Sequence, residues 1–166
     1  MESTVLELIN PTAETQGSKA NRTGKMLERE VCEILKKSGY TEVSNKKFDT
    51  LKLERKRIFA RQYTLENLSV YNRKIKCDVI IYDPIRLPGS MVIECKYQKT
   101  KGTADEKMVY LVENIKKSDK HTIIVVEGDG FRDGVIDHYL PENLGRNFVG
   151  FFDLNSFTEL CNLKLI

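Results

Sequence analysis

A chain of 166 residues, 40% hydrophobic and 31% charged, has the length and apolar content to bury one sizeable core, which excludes a disordered polyelectrolyte. No run approaches the ~18 apolar residues of a membrane span, and the first ten residues lack the basic start and apolar stretch of a signal peptide, so a cytoplasmic protein without membrane association is expected. The net charge of +3 hides a segregation, with ten Lys or Arg against three acids in residues 46–76 and three against seven in 121–166, a pattern that fits a polyanionic partner or a solvated strand face.

Residues 1–22 are polar, with Pro11 and Gly17, and read as an arm or short initial helix ahead of a single domain over 23–166. From Thr23 the pattern T-G-K-M-L-E-R-E-V-C-E-I-L-K-K-S-G-Y predicts a helix, with Leu27, Val31, Ile34 and Leu35 on one face and Gly39 as its stop. At about 100° per residue Glu28 projects just beyond Leu35 and borders the buried face. Glu30 borders the opposite edge, and a solvated helix acid explains either one equally well.

Residues 40–72 carry the weakest pattern. A strand is expected over 57–64, with 66–72 continuing it after a kink or folding back as a hairpin. Arg55, Lys56, Arg57, Lys74 and Lys76 are candidate contacts to nucleic-acid phosphates, while the interleaved Tyr63 and Tyr71 are too sparse to argue base stacking.

The chemistry concentrates in residues 74–98, where K-I-K-C-D-V-I-I-Y and M-V-I-E-C-K-Y-Q read as two antiparallel strands joined by a loop with Pro84, Pro88 and Gly89. Alternation puts Ile75, Cys77, Val79 and Ile81 on one face of the first strand and Asp78, Ile80 and Tyr82 on the other. In the second strand it groups Glu94, Lys96 and Gln98 against Met91, Ile93, Cys95 and Tyr97. Two carboxylates gathered on a sheet are costly unless paired or bound to a cation. A hard divalent metal such as Mg2+ accepts such oxygens, and a nearby ammonium can orient a water or stabilise developing phosphorane charge. A plain salt bridge of Lys96 with Glu94 or Asp78 accounts for the same residues.

Beyond this pair, Lys99 and Lys101 lie in a polar basic loop, and Thr103-x-x-Glu106 caps a helix whose core stripe is Met108, Leu111, Val112 and Ile115. Lys107 and the first amides of that helix could face a phosphate, and an ordinary surface lysine explains Lys107 as well. H-T-I-I-V-V at 121–126 is the continuous apolar run of a central strand. A helix before it and another over 132–140 suggest a parallel crossover. The loop E-G-D-G-F reads as a tight turn. A strand over 148–152 and a final short helix capped by Ser156-x-x-Glu159 complete the chain. His121 and His138 have no partner at useful spacing and receive no role. Cys32, Cys77, Cys95 and Cys161 lie in apolar patterns without a C-x2-C pair, so they read as small buried hydrophobes.

The order helix, strands, Asp-bearing and Glu-x-Lys-bearing hairpin, helix, strand resembles the PD-(D/E)XK nuclease superfamily over roughly residues 23–152. T-G-K-M-L-E looks like that family's first helix with its accessory acid, and G-T-A-D-E-K followed by H-T-I-I-V-V-E-G-D-G looks like a restriction-type subgroup. Cys77 stands where the nominal motif has Pro, a position the family varies. The resemblance implies an α/β fold, a restriction-endonuclease-like mixed sheet flanked by helices. It further implies that Asp78, Glu94 and the carbonyl of Cys95 hold Mg2+, with Mn2+ as a substitute, and that Glu28 acts directly or through water. Lys96 would orient or deprotonate the attacking water, and Gln98 would position Lys96 or the phosphate. The expected activity is restriction-type cleavage of duplex DNA. A junction resolvase or repair nuclease, or a DNA-binding module that no longer cuts, stays open. One cleavage centre per chain implies a homodimer for cutting both strands, with the apolar C-terminal segment as a candidate interface.

Overall fold

The computed structural model describes residues 16–66, 69–99, 104–131, 134, 139, 142, 143 and 145–166. Its first helix, α1 (Gln16–Lys37), starts seven residues before the expected Thr23, inside the stretch expected as an arm or short initial helix. It ends as expected. Gly39, at φ +90°, turns the chain while Tyr40 N–H reaches back to the Leu35 carbonyl at 3.0 Å.

The poorly patterned region contains two elements that sequence reasoning did not place. A two-residue strand β1 (Thr41–Glu42) is followed by α2 (Asn45–Lys52), whose one buried residue is Phe48. One apolar residue in eight leaves no helical stripe to read. Strand β2 (Ile58–Leu65) falls within one residue of its expected bounds. Strands β3 (Ile75–Asp83) and β4 (Leu87–Tyr97) are antiparallel, as expected, but their turn is tight and Pro88 and Gly89 belong to β4 rather than to the loop. Then come α3 (Ala104–Lys117), β5 (His121–Glu127), β6 (Phe148–Phe152) and α4 (Leu154–Asn162). Asp153, not Ser156, caps α4: its carboxylate accepts the Ser156 amide at 2.7 Å, so Ser156 is the third residue of the helix and not its cap. The Thr103 capping box, Lys101, His138 and nearly all of the helix expected over 132–140 fall outside the described residues.

The six strands form one mixed sheet in chain order, parallel at β1–β2, β4–β5 and β5–β6 and antiparallel between. This is an α/β fold of the restriction-endonuclease-like kind, a mixed sheet covered by helices on both faces. On one face α1 and α4 bury Leu27, Val31, Leu35 and Phe157 against Phe59, Val79, Ile81, Ile93, Ile123 and Val125. On the other, Phe48 of α2 meets Ile58, Ile80 and Val92, and Met108, Val112 and Ile115 of α3 meet Ile124. The continuous run in β5 is thus explained, since Ile123 and Val125 point to one layer of helices and Ile124 to the other. All four cysteines are free and buried in these cores. Among the described residues no helix is long and apolar enough to cross a membrane.

Candidate active site in a strand fork

Strands β3 and β4 pair from Asp83–Leu87 through Val79–Ile93 and there stop pairing with each other. Beyond that point β3 stays with β2, through Cys77–Tyr63 and Lys76–Thr64, and β4 stays with β5, through Glu94–Ile124, Cys95–Val125 and Lys96–Val126. The sheet therefore forks at Asp78 and Glu94. A fork leaves backbone groups without ladder partners, and such groups are costly to bury unpaired. The Cys95 amide solves this by donating to Asp78 Oδ2 at 2.8 Å. Lys96 Nζ spans the fork, 2.7 Å from Glu94 Oε2 and 3.3 Å from Asp78 Oδ2.

A second irregularity sits at the same level. Gln62 has φ +51°, and the consecutive side chains Arg61 and Gln62 both reach Glu28 on α1. On β3, Cys77 packs with Ile80 and Tyr82, and Asp78 shares a pocket with α1, so the alternation expected from sequence is reversed at these two residues. Counting by twos assumes regular strands, and the β2–β3 pair is irregular here, with the left-handed Gln62 lying between the pairs Arg61–Val79 and Tyr63–Cys77. The result is a cavity of about 610 Å³ walled by Lys25, Glu28 and Arg29 of α1, Arg61 and Gln62 of β2, and Asp78, Cys95 and Lys96 at the fork.

Its electrostatics follow from burial. Glu94 is 7% exposed, and desolvation pushes its carboxyl up to about 7, with Asp78 adding to the effect and Lys96 opposing it. Burial also works against the charge of Lys96, but Glu94 and Asp78 outweigh it and keep the ammonium protonated. Two carboxylates share one ammonium, and no donor among the described residues reaches Asp78 Oδ1 or Glu94 Oε1. Two oxygen ligands with a remaining negative charge fit a hard divalent cation.

The other expected site residues divide. Glu28 lines the cavity, but both its oxygens are taken, Oε1 by Arg61 Nε at 2.9 Å and Oε2 by Gln62 Nε2 at 3.0 Å. Among the described residues no three acid, His or Cys side chains gather closely enough to hold one metal. Gln98 is directed elsewhere than expected: its amide donates to the Gly130 carbonyl at 2.8 Å and not toward Lys96. It ties the β5 loop to the end of β4, where a Cβ on Gly128 would collide with the Gln98 carbonyl, which accounts for the glycine turn.

The expected phosphate contacts also need correction. Arg57 is committed to the fold, with Nε 2.8 Å from Asp83, Nη1 2.7 Å from the Ser38 carbonyl and its guanidinium 4.3 Å from the Tyr40 ring centroid. Arg55 and Lys56 precede Ile58, which pairs with Tyr82 at the far end of the strands from Gln62, roughly 13 Å away at the strand rise. Lys56 there pairs with Glu54. Lys74, paired with Glu66, precedes β3; the exposed Lys76 lies in β3 beyond the fork, the exposed Lys99 follows β4, and the exposed Lys107 lies in α3. Tyr63 donates to Asp49 and packs on Phe48, whereas Tyr71 is exposed and stacks on Tyr110. Lys25, Arg29, Arg61 and Gln62 were not singled out from sequence. The first two flank Glu28 on one edge of α1 and were legible there, but nothing in the strand pattern marked Arg61 and Gln62.

The sheet thus forks with an acid on one strand and Glu-x-Lys on the next, and a helix bearing an acid lines the same cavity. A family model described as the PD-(D/E)XK nuclease superfamily domain matches residues 19–158, and the chain belongs to that superfamily. No curated protein and no solved structure matched in the corresponding comparisons.

Proposed function

We propose that the chain is a divalent-metal-dependent endodeoxyribonuclease that cleaves duplex DNA in restriction fashion, with Mg2+ as its cation and Mn2+ as a substitute. The observation that carries this reading is the Lys96 ammonium spanning Asp78 and Glu94 in a cavity otherwise rimmed by Lys25, Arg29 and Arg61. Asp78 and Glu94, with the Cys95 carbonyl, would hold the cation, which when bound supplies Lewis-acid polarisation of the phosphate and its water. Lys96 Nζ, 2.7 Å from Glu94 and 3.3 Å from Asp78, would orient the attacking water or take its proton and stabilise charge developing on the phosphate. Water adds to phosphorus as the P–O3′ bond breaks, leaving a 5′-phosphate and a 3′-hydroxyl. The cationic rim draws the backbone phosphates in.

The test is incubation of the purified protein with plasmid, long linear duplex and a four-way junction in Mg2+, beside Asp78→Ala. Discrete duplex fragments absent from the variant support the reading. Cutting of junctions alone would make it a resolvase, and retardation without cutting a binding module. Paired strand cuts from one centre per chain require a two-fold homodimer on DNA. Leu163 and Leu165, 70% and 59% exposed, are candidates for its contact. Light scattering on duplex in Ca2+ should give two chains per site, and a monomer that nicks one strand would overturn the dimer.

A further inference from the structure

Glu28 is 6% exposed and its two oxygens are saturated from β2 rather than left open toward the fork. The ion pair is lopsided: the Glu28 side chain is 8% exposed and that of Arg61 42%, so the carboxylate lies behind the guanidinium and the guanidinium faces the cavity. Arg61 spends its Nε on Glu28, and its two Nη groups have no hydrogen-bond partner among the described residues. Two parallel N–H groups on a fixed plane match two non-bridging oxygens of a phosphate. The backbone is bent to make this arrangement. Gln62 holds a left-handed conformation unusual for a residue with a side chain, and it is what brings Arg61 and Gln62 to the same carboxylate. Lys25 and Arg29 on the facing helix add positive charge to the same wall.

We infer that Glu28, Arg61 and Gln62 form a phosphate-binding subsite beside the cleavage centre, in which Glu28 is the anchor of Arg61 and not a metal ligand. The ligand is a backbone phosphate of the bound strand, next to the one attacked. This rests on the nuclease reading. It assigns Arg61 to direct contact with substrate and Glu28 and Gln62 to positioning.

Two measurements separate anchor from ligand. The first titrates Ca2+ alone, without DNA, by calorimetry. Glu28→Gln should bind Ca2+ within about twofold of the wild type, whereas Asp78→Asn should lose at least about tenfold; an equal loss in Glu28→Gln would make it a ligand and overturn the assignment. The second measures DNA affinity in Ca2+ against salt. Arg61→Gln should lower the slope of log K on log salt by about 0.9, the loss of one phosphate contact. Because Arg61→Gln leaves a buried acid, the neutral pair Glu28→Gln/Arg61→Gln serves as a second form, and its slope should match that of Arg61→Gln. A slope in Arg61→Gln equal to that of the wild type, when the wild type binds and cuts, would reject the subsite alone. Absence of both binding and cutting in the wild type would instead reject the nuclease reading beneath it.

Discussion

The two ends of the β3–β4 pair each bury a carboxylate, and the chain treats them in opposite ways. At the turn, Asp83 is 1% exposed and surrounded by donors: the Ile85 and Arg86 amides at 2.8 and 2.9 Å, and the guanidinium groups of Arg57 and Arg86. Burial works to raise its pKa, but the two amides and the two arginines prevail and hold it below the usual range. At the fork, Glu94 has a lysine shared with Asp78 and the Asp78 carboxylate itself as neighbours, and burial together with Asp78 pushes its carboxyl up to about 7. One acid is satisfied by the chain itself. The other is buried with one ammonium between it and Asp78, and it is Asp78 and Lys96, not Glu94, that line the cavity.

The sharpest break of this contrast is removal of the fork groups. Asp78→Ala, Glu94→Ala and Lys96→Ala should each lower cleavage by at least about 10²-fold while the protein still melts cooperatively. Plasmid cleavage with calorimetry checks it, and wild-type rates in any of the three would remove that residue from the site. At the turn the effect should be on stability. Arg57→Ala takes one partner from a buried acid and should cost about 2–3 kcal/mol in urea unfolding, with the salt slope of DNA binding unchanged. A fall in that slope would return Arg57 to the nucleic-acid contacts.

The two acids also predict opposite pH limbs. Asp83, depressed when folded, contributes stability present above the ordinary Asp value of 3.8 and lost as pH falls through its lower folded value. Glu94, raised when folded, contributes relative stability that is complete below 4.5 and lost as pH rises through about 7. In EDTA, melting temperature should therefore decline between pH 5 and 8, and Glu94→Gln should flatten that decline. Added Mg2+ should reverse it, and a wild-type curve that rises to pH 8 in EDTA would contradict the burial of an under-paired Glu94. The smallest effect concerns the strand reversal. Gln62→Gly relieves a left-handed backbone and loses one hydrogen bond to Glu28, so stability should stay within about 1 kcal/mol while cleavage falls. Full cleavage would show that Gln62 has no part in seating Arg61.

Much of this was readable from residue order. The helical stripe of α1, the antiparallel pair bearing Asp78, Glu94 and Lys96, and the apolar run of β5 follow from local periodicity, because burial on one face or on both leaves a repeat in the chain. Glu28 was placed by the same arithmetic at the edge of the buried face, and it lines the cavity. Its partners were not readable, since they lie on β2 more than thirty positions away. Likewise, α2 gave one buried residue to count, and the basic run at 55–57 looked alike whether it served DNA or the fold.

What the sequence by itself determined was the set of chemical groups and the secondary elements that carry them: two carboxylates and a lysine on adjacent strands, an acid on the helix that covers them. Tertiary structure alone decided their pairing, because a single left-handed residue at Gln62 and a ladder that stops at Val79 and Ile93 set which side chains face α1 and where the sheet opens. Neither event leaves a periodic mark in the chain. Each is settled by how the strands and the helix pack together, and so the same count of arginines yields one that braces Asp83 and another that faces the cavity.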